Sequence, residues 1–212
     1  MKFKPNSTIC FLSRRNSGKS HLCRHILFSM IDEFEEMFIV SQTENVSHSL
    51  DFLPSTHIME TWDSKKIQAL MTKQETEIKK SKPRQICLIL DDVIGSLRPN
   101  DPLLNKIFIL GRHLKITICL LLQYSKACLS PTIRGNIDYL FFNRLPVEGL
   151  RVLYEGVHVS GDFKAFQKYI LRKQKERPYT FLMYDSLCVK DRERWKAVTA
   201  PEDRVDFRIE YK

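Results

Sequence analysis

Eight residues near the amino terminus, Ser13, Arg14, Arg15, Asn16, Ser17, Gly18, Lys19 and Ser20, bring a glycine, a lysine and a hydroxyl together in a row. They satisfy the phosphate-binding loop pattern G-x-x-x-x-G-K-[ST] at every fixed position but the first, where Ser13 stands for glycine. The residue types suit the chemistry. Successive backbone N–H groups turned inward form a concave anion site, and Gly18 lets the chain approach phosphates with no Cβ in the way. Lys19 brings a positive charge to the β- and γ-phosphates and Ser20 a hydroxyl ligand for Mg²⁺; a helix starting here adds its N-terminal partial charge. His21 follows directly and joins the set facing a nucleotide. Gly-Lys-Ser also occurs by chance, so context matters. Residues 8–12 read as a short apolar strand and 19–34 as an amphipathic helix, the setting the motif demands.

A second constellation ends the apolar run at residues 85–90, where Asp91 and Asp92 stand side by side. An unbroken run of that length reads as a strand covered on both faces. Ligands of open parallel sheets bind beyond the carboxyl ends of strands, so these acids belong at the pocket. Asp91 fits the Mg²⁺-ligating acid, and Asp92 is placed to orient and deprotonate an attacking water. The plain alternative is a pair of helix caps, which residues 93–99 do not support. Gln123 closes another such run at 116–122. It is either a sensor of the γ-phosphate and lytic water or simply a strand terminus. His21 and His25 lie one turn apart but lack a third zinc ligand and the catalytic glutamate of H-E-x-x-H.

These groups need a scaffold, and the rest of the chain reads as alternating strands and helices. Strands are expected at 36–40, 57–62, 139–142 and 179–184. Helices are expected at 64–80 (capped by Asp63 or Ser64), 101–113, 131–136, 148–154 and 162–174. Residues 41–54 read as a polar loop, and 188–212 give no assignment. The fold class is therefore α/β: a three-layer α/β/α phosphate-loop NTPase with a central, mostly parallel sheet of the RecA-like (ASCE) kind. At 212 residues one unit is expected, with a nucleotide-binding core at about 1–145 and C-terminal helices, strand and tail at about 146–212.

Composition narrows the setting. Hydrophobic residues at 43% and charged residues at 28% are ordinary for a soluble globular chain. The longest apolar run has a strand's length, well short of a membrane span. The six cysteines form no C-x-x-C pair, and Cys10, Cys87 and Cys119 sit inside apolar strands, which points to a reducing compartment. The apolar run near Met1 is too short for a signal peptide. A soluble intracellular protein is expected. The net charge of +9 suits a polyanionic partner or merely a solvated basic surface. Lys164, Lys168 and Arg172 recur at i, i+4 and i+8 and so line one face of the 162–174 helix.

With both motifs and Gln123 located, the sequence resembles the genome-packaging ATPases of large double-stranded DNA viruses. These form the poxvirus-type branch of the FtsK–HerA superfamily of DNA-pumping motors. The likeness covers most of residues 7–142 and rests on SRRNSGKS (13–20), LILDD (88–92), GRHLKITICLLLQY (111–124) and SPTIRGNIDYLFF (130–142). It implies ATP and Mg²⁺ as cofactors and hydrolysis coupled to driving double-stranded DNA into a capsid. Its implied partners are a homo-oligomeric ring, a hexamer, docked on a capsid or portal-vertex protein, with no membrane span. The implied location is the host-cell cytoplasm, in a viral factory, or the virion. The resemblance sets the Gln123 strand between the Walker A and Walker B strands, with Gln123 beside the γ-phosphate. It also implies an arginine reaching into the neighbouring subunit's site, Arg134 first and Arg112 second. Lys164, Lys168 and Arg172 become candidates for DNA backbone contacts, against the simpler reading of a solvated face. Two departures stand out: Ser13 in place of glycine, and Asp92 where many relatives carry glutamate. The rivals are a nucleotide or nucleoside kinase, which would need an arginine-rich lid not apparent here, and a nucleotide-binding assembly factor without turnover.

Overall fold

The computed structural model describes residues 3–93, 97, 101–123, 130–156, 162–176, 179–190, 193–209 and 211, apart from the side chains at 45, 46 and 176. Its spine is an eight-stranded sheet: β1 (Thr8–Ser13), β2 (Glu36–Ser41), β3 (Ile58–Met59), β4 (Ile86–Asp91), β5 (Ile116–Gln123), β6 (Tyr139–Asn143), β7 (Thr180–Asp185) and β8 (Trp195–Thr199). The order is β3-β2-β4-β5-β1-β6-β7-β8, parallel as far as β6, with β7 and β8 antiparallel. The Gln123 strand thus lies between the loop strand and the Asp91 strand. The three-layer α/β expectation holds, with the last two strands adding an antiparallel flank to the same sheet.

The helices follow local chemistry. α1 (Lys19–Phe28) starts on Gly18, whose left-handed backbone (φ 84) turns the chain into it. It stops earlier than the expected residue 34, because the Ser29 hydroxyl donates to the Ile26 carbonyl at 2.7 Å and the chain tightens into a 3₁₀ turn at Ile31–Glu33. The expected loop after β2 holds a single short turn of helix, α2 (Glu44–Ser47). α3 (Ser64–Lys79) is capped by Asp63, which accepts from the N–H groups of Lys65 and Lys66. α4 (Pro102–Leu110) and α5 (Pro131–Gly135) each begin with a proline behind a capping Asp101 or Ser130. α6 (Val147–Gly156) and α7 (Phe163–Glu176) complete the set.

Alternation along each strand splits the core in two. On one face Leu12, Leu88, Leu90, Ile118 and Leu120 pack under α3 to α7. On the other Phe11, Ile89, Cys119, Leu121 and Phe141 pack under α1. That second face is finished by the C-terminal tail. Beyond β8 the chain runs back over α1, where the buried Arg24 gathers it: Nε donates to the Val205 carbonyl at 2.6 Å and an Nη to Asp51 at 2.8 Å. The same guanidinium sits over the rings of Phe52 and Phe207. Farther along, Tyr211 stacks on His57, and its hydroxyl oxygen accepts from the Met37 N–H of β2 at 2.7 Å.

Candidate active site

Register brings the chemistry to one edge. Ser13 pairs with Gln123 and Asp91 with Ser41, so the carboxyl ends of β1, β2, β4 and β5 form one rim. Between that rim and the start of α1 opens a cleft of about 460 Å³. Residues 14–21 line it together with Asp91, Asp92 and Gln123. Ser13 lies just beneath, fully buried, its hydroxyl 2.6 Å from that of Ser17. A serine at this position therefore does more than replace a small residue: it braces the loop across its width. Asn16 and Gly18 both take positive φ (55 and 84), which shapes the turn.

The charged groups are linked. Lys19 is buried, with its Nζ 3.8 Å from an Asp92 oxygen. Asp92, itself at φ 51, accepts from the Gln123 backbone N–H at 3.1 Å and from Gln123 Nε2 at 2.6 Å. The other end of the same amide accepts from Arg15 Nε at 3.1 Å. Gln123 is thus tied to the site's acid and to the loop at once. Asp91 differs from its neighbour. Only 5% exposed, it accepts one hydrogen bond among the described residues, from the Ser41 hydroxyl at 3.0 Å. Burial, then the Asp92 charge, pushes its carboxyl above the ordinary aspartate range, while Ser41 and Lys19 pull the other way.

This environment fits a hard divalent cation. A buried carboxylate with one neutral partner, facing the Ser20 hydroxyl across the cleft, is an all-oxygen donor set of the kind Mg²⁺ takes. Among the described residues no group of three or more His, Cys, Asp or Glu could hold a metal by itself. His21 turns one ring nitrogen to the Pro201 carbonyl at 2.7 Å.

Other singled-out residues lie elsewhere. Arg112 sits at the opposite end of the strands, before β5, where its guanidinium bonds Asp138 at 2.6 Å; Asp138 also accepts from the Thr8 N–H at 2.9 Å. Arg134 is exposed near the end of α5 and makes no ion pair with a described residue. Lys164, Lys168 and Arg172 are exposed along α7, which packs by Phe166 and Ile170 on the face away from α1. Sequence reasoning missed the hydroxyls after β2, where Thr43, Ser47 and Ser49 line the cleft. It also missed Glu44, which is buried and pins that loop by accepting from the Leu50 N–H at 2.8 Å. The available signal was position: a polar segment following a buried strand that borders the acid-bearing one.

A phosphate loop on the central strand, an acid pair on a strand two places away and a polar amide between them define a phosphate-loop NTPase of the RecA-like class. The chain belongs to the poxvirus A32 protein family, whose model matches residues 3–210. It is similar to an uncharacterized protein, 088R, of Invertebrate iridescent virus 3, at 28% identity over 76% of this chain; the match spans 63% of that relative's length. It also resembles the crystal structure of B204, the DNA-packaging ATPase from Sulfolobus Turreted Icosahedral Virus. That likeness has a TM-score of 0.63 at 16% identity, over 94% of this chain and 100% of the other. The genome packaging NTPase B204 from Sulfolobus turreted icosahedral virus 2, in complex with ATP-γS, gives 0.61 at 17% identity over 94% and 100%.

Proposed function

We propose that this chain is the ATP-hydrolysing motor subunit that drives double-stranded viral DNA into a capsid. The observation that carries the reading is the single cleft in which Lys19, Asp91, Asp92 and Gln123 converge. Membership of the A32 family and likeness to a packaging NTPase held with ATP-γS support it. In this reading residues 1–212 work as one unit, the part after about residue 145 extending the sheet of the nucleotide-binding part.

The triphosphate lies in the cradle of residues 13–20, its charge met by main-chain N–H groups and by Lys19. Lys19 leaves Asp92 for the phosphate oxygens, which frees one Asp92 oxygen to take the proton of the attacking water. Gln123, held by Arg15 and Asp92, aims its amide at the water or γ-phosphate. Ser20 and Asp91 would hold Mg²⁺, which offsets the negative charge of the phosphates. A ring of copies, taken as a hexamer, surrounds duplex DNA and docks on a capsid or portal-vertex protein in the infected cell or virion. Arg134 enters the neighbour's site, where a guanidinium stabilises transition-state charge. Arg112 is the second choice, since its bond to Asp138 would have to break first. The face of Lys164, Lys168 and Arg172 grips the DNA backbone without reading sequence.

Purified protein with ATP and Mg²⁺ tests the proposal. Slow hydrolysis that rises on adding duplex DNA is expected, and alanine at Lys164, Lys168 and Arg172 together should cut the salt slope of DNA binding by about 2–3. Phosphate transfer to a nucleoside would make the chain a kinase. Nucleotide binding without turnover would make it an assembly factor.

A further inference from the structure

Beside the phosphate cleft lies a second cavity of about 760 Å³, bounded by Gly18, His21, Tyr179, Ala200, Pro201 and Glu202. Gly18 and His21 line both cavities, so the two adjoin at the start of α1. Their chemistry is opposite. Arg14, Arg15 and Lys19 line the first, whereas the second offers an aromatic ring, a proline and an alanine, with one carboxylate. A nucleoside triphosphate has the same asymmetry, an anion at one end and a flat heteroaromatic ring at the other. Nothing in the hydrolytic mechanism uses the second cavity.

Tyr179 is the notable wall. It takes φ 57, a left-handed backbone that bulky side chains rarely adopt. That conformation lays its ring on the phosphate loop, where a Cβ on Gly18 would stand 3.2 Å from Tyr179 Cδ1. The residue nevertheless stays 50% exposed. The Arg144 guanidinium is 6.0 Å from its centroid. The Tyr179 carbonyl accepts from the Ala200 N–H at 3.2 Å, which ties it to the C-terminal strap, the stretch beyond β8 from residue 200 to 209. Across the cavity Pro201 is fixed by His21, whose Nε2 donates to the proline carbonyl. The Thr199 hydroxyl is paired with that of Thr180 at 3.0 Å. Glu202 adds a carboxylate to this wall, and its negative charge disfavours a triphosphate there.

We propose that this cavity is the nucleoside subsite, in which a purine stacks on Tyr179 beside Pro201 and the C-terminal strap forms one wall of the nucleotide site. The proposal rests on the NTPase reading above. Because the Thr199 hydroxyl and the His21 imidazole are already bonded, the subsite recognises ring area more than base edges. ATP and GTP should therefore bind within a few-fold of each other, and CTP more weakly.

Calorimetric titration of ATP, GTP, CTP and inorganic tripolyphosphate, each with Mg²⁺, tests this on the wild-type chain, Tyr179→Phe and Tyr179→Ala. Tyr179→Ala should weaken ATP about tenfold and leave tripolyphosphate at the wild-type affinity, while Tyr179→Phe keeps both. Unchanged ATP affinity in Tyr179→Ala overturns the subsite and leaves the phosphate loop intact. An equal loss of ATP and tripolyphosphate also overturns it, since the ring would then only prop Gly18. A wild-type chain that binds neither ligand overturns the NTPase reading itself.

Discussion

Two buried aspartates, Asp91 and Asp138, sit at opposite ends of one sheet and are used in opposite ways. Asp138, 4% exposed, accepts the Thr8 N–H and the Arg112 guanidinium; both of its oxygens are bonded. Asp91, 5% exposed, has one hydroxyl on one oxygen and a like charge next door, and burial drives its carboxyl upward. A buried charge with its partners in place ties elements together; one left short of partners costs stability and is available to a ligand. Burial alone does not separate the two. The inventory of partners does.

Substitutions at the two ends should therefore separate function from stability. The largest effect on binding is expected for Lys19→Ala, with ATP affinity reduced by about a hundredfold or more at equilibrium. Asp92→Asn should keep ATP affinity within a few-fold and lower kcat by about 10²–10⁴ in steady-state hydrolysis. Turnover near wild type would remove Asp92 as the base. At the far end of the strands, Asp138→Ala should cost about 2 kcal/mol in chemical unfolding, because the Thr8 N–H loses its partner, while ATP affinity stays unchanged. Asp91→Asn should do the reverse. Its raised carboxyl means that burial opposes the charged form on folding, so the neutral amide should raise the thermal midpoint of the ligand-free chain and abolish turnover. The two arginines sharpen the same contrast with a smaller effect. Arg112→Ala should cost under about 1 kcal/mol, as its side chain is 64% exposed. Arg134→Ala, mixed into wild-type protein, should inhibit the intact neighbours; a loss proportional to the mixing ratio would mean that Arg134 does not act in trans.

The cleft edge was legible because its parts are contiguous and self-announcing. A buried parallel strand is an apolar run, and the residue that ends the run stands at the rim, so 13–20, Asp91, Asp92 and Gln123 could be placed without coordinates. The strap was not. β8 reads as half-exposed and charged because it is a sheet edge, and residues 200–209 lack periodicity because they bond to α1 and to the 50–53 loop rather than to themselves. Arg24 carries no sign of its burial, since its carbonyl partners lie about 180 residues along the chain. Separation along the chain likewise hid Tyr179 against Gly18. Contacts of long range leave no spacing to read.

The most direct test is a crystal structure with ATP-γS and Mg²⁺. The account predicts the triphosphate wrapped by residues 13–20, Lys19 turned from Asp92 to the phosphates, and Asp91 at the metal's coordination sphere. An empty loop, or a triphosphate bound away from Lys19 and Asp91, would contradict it.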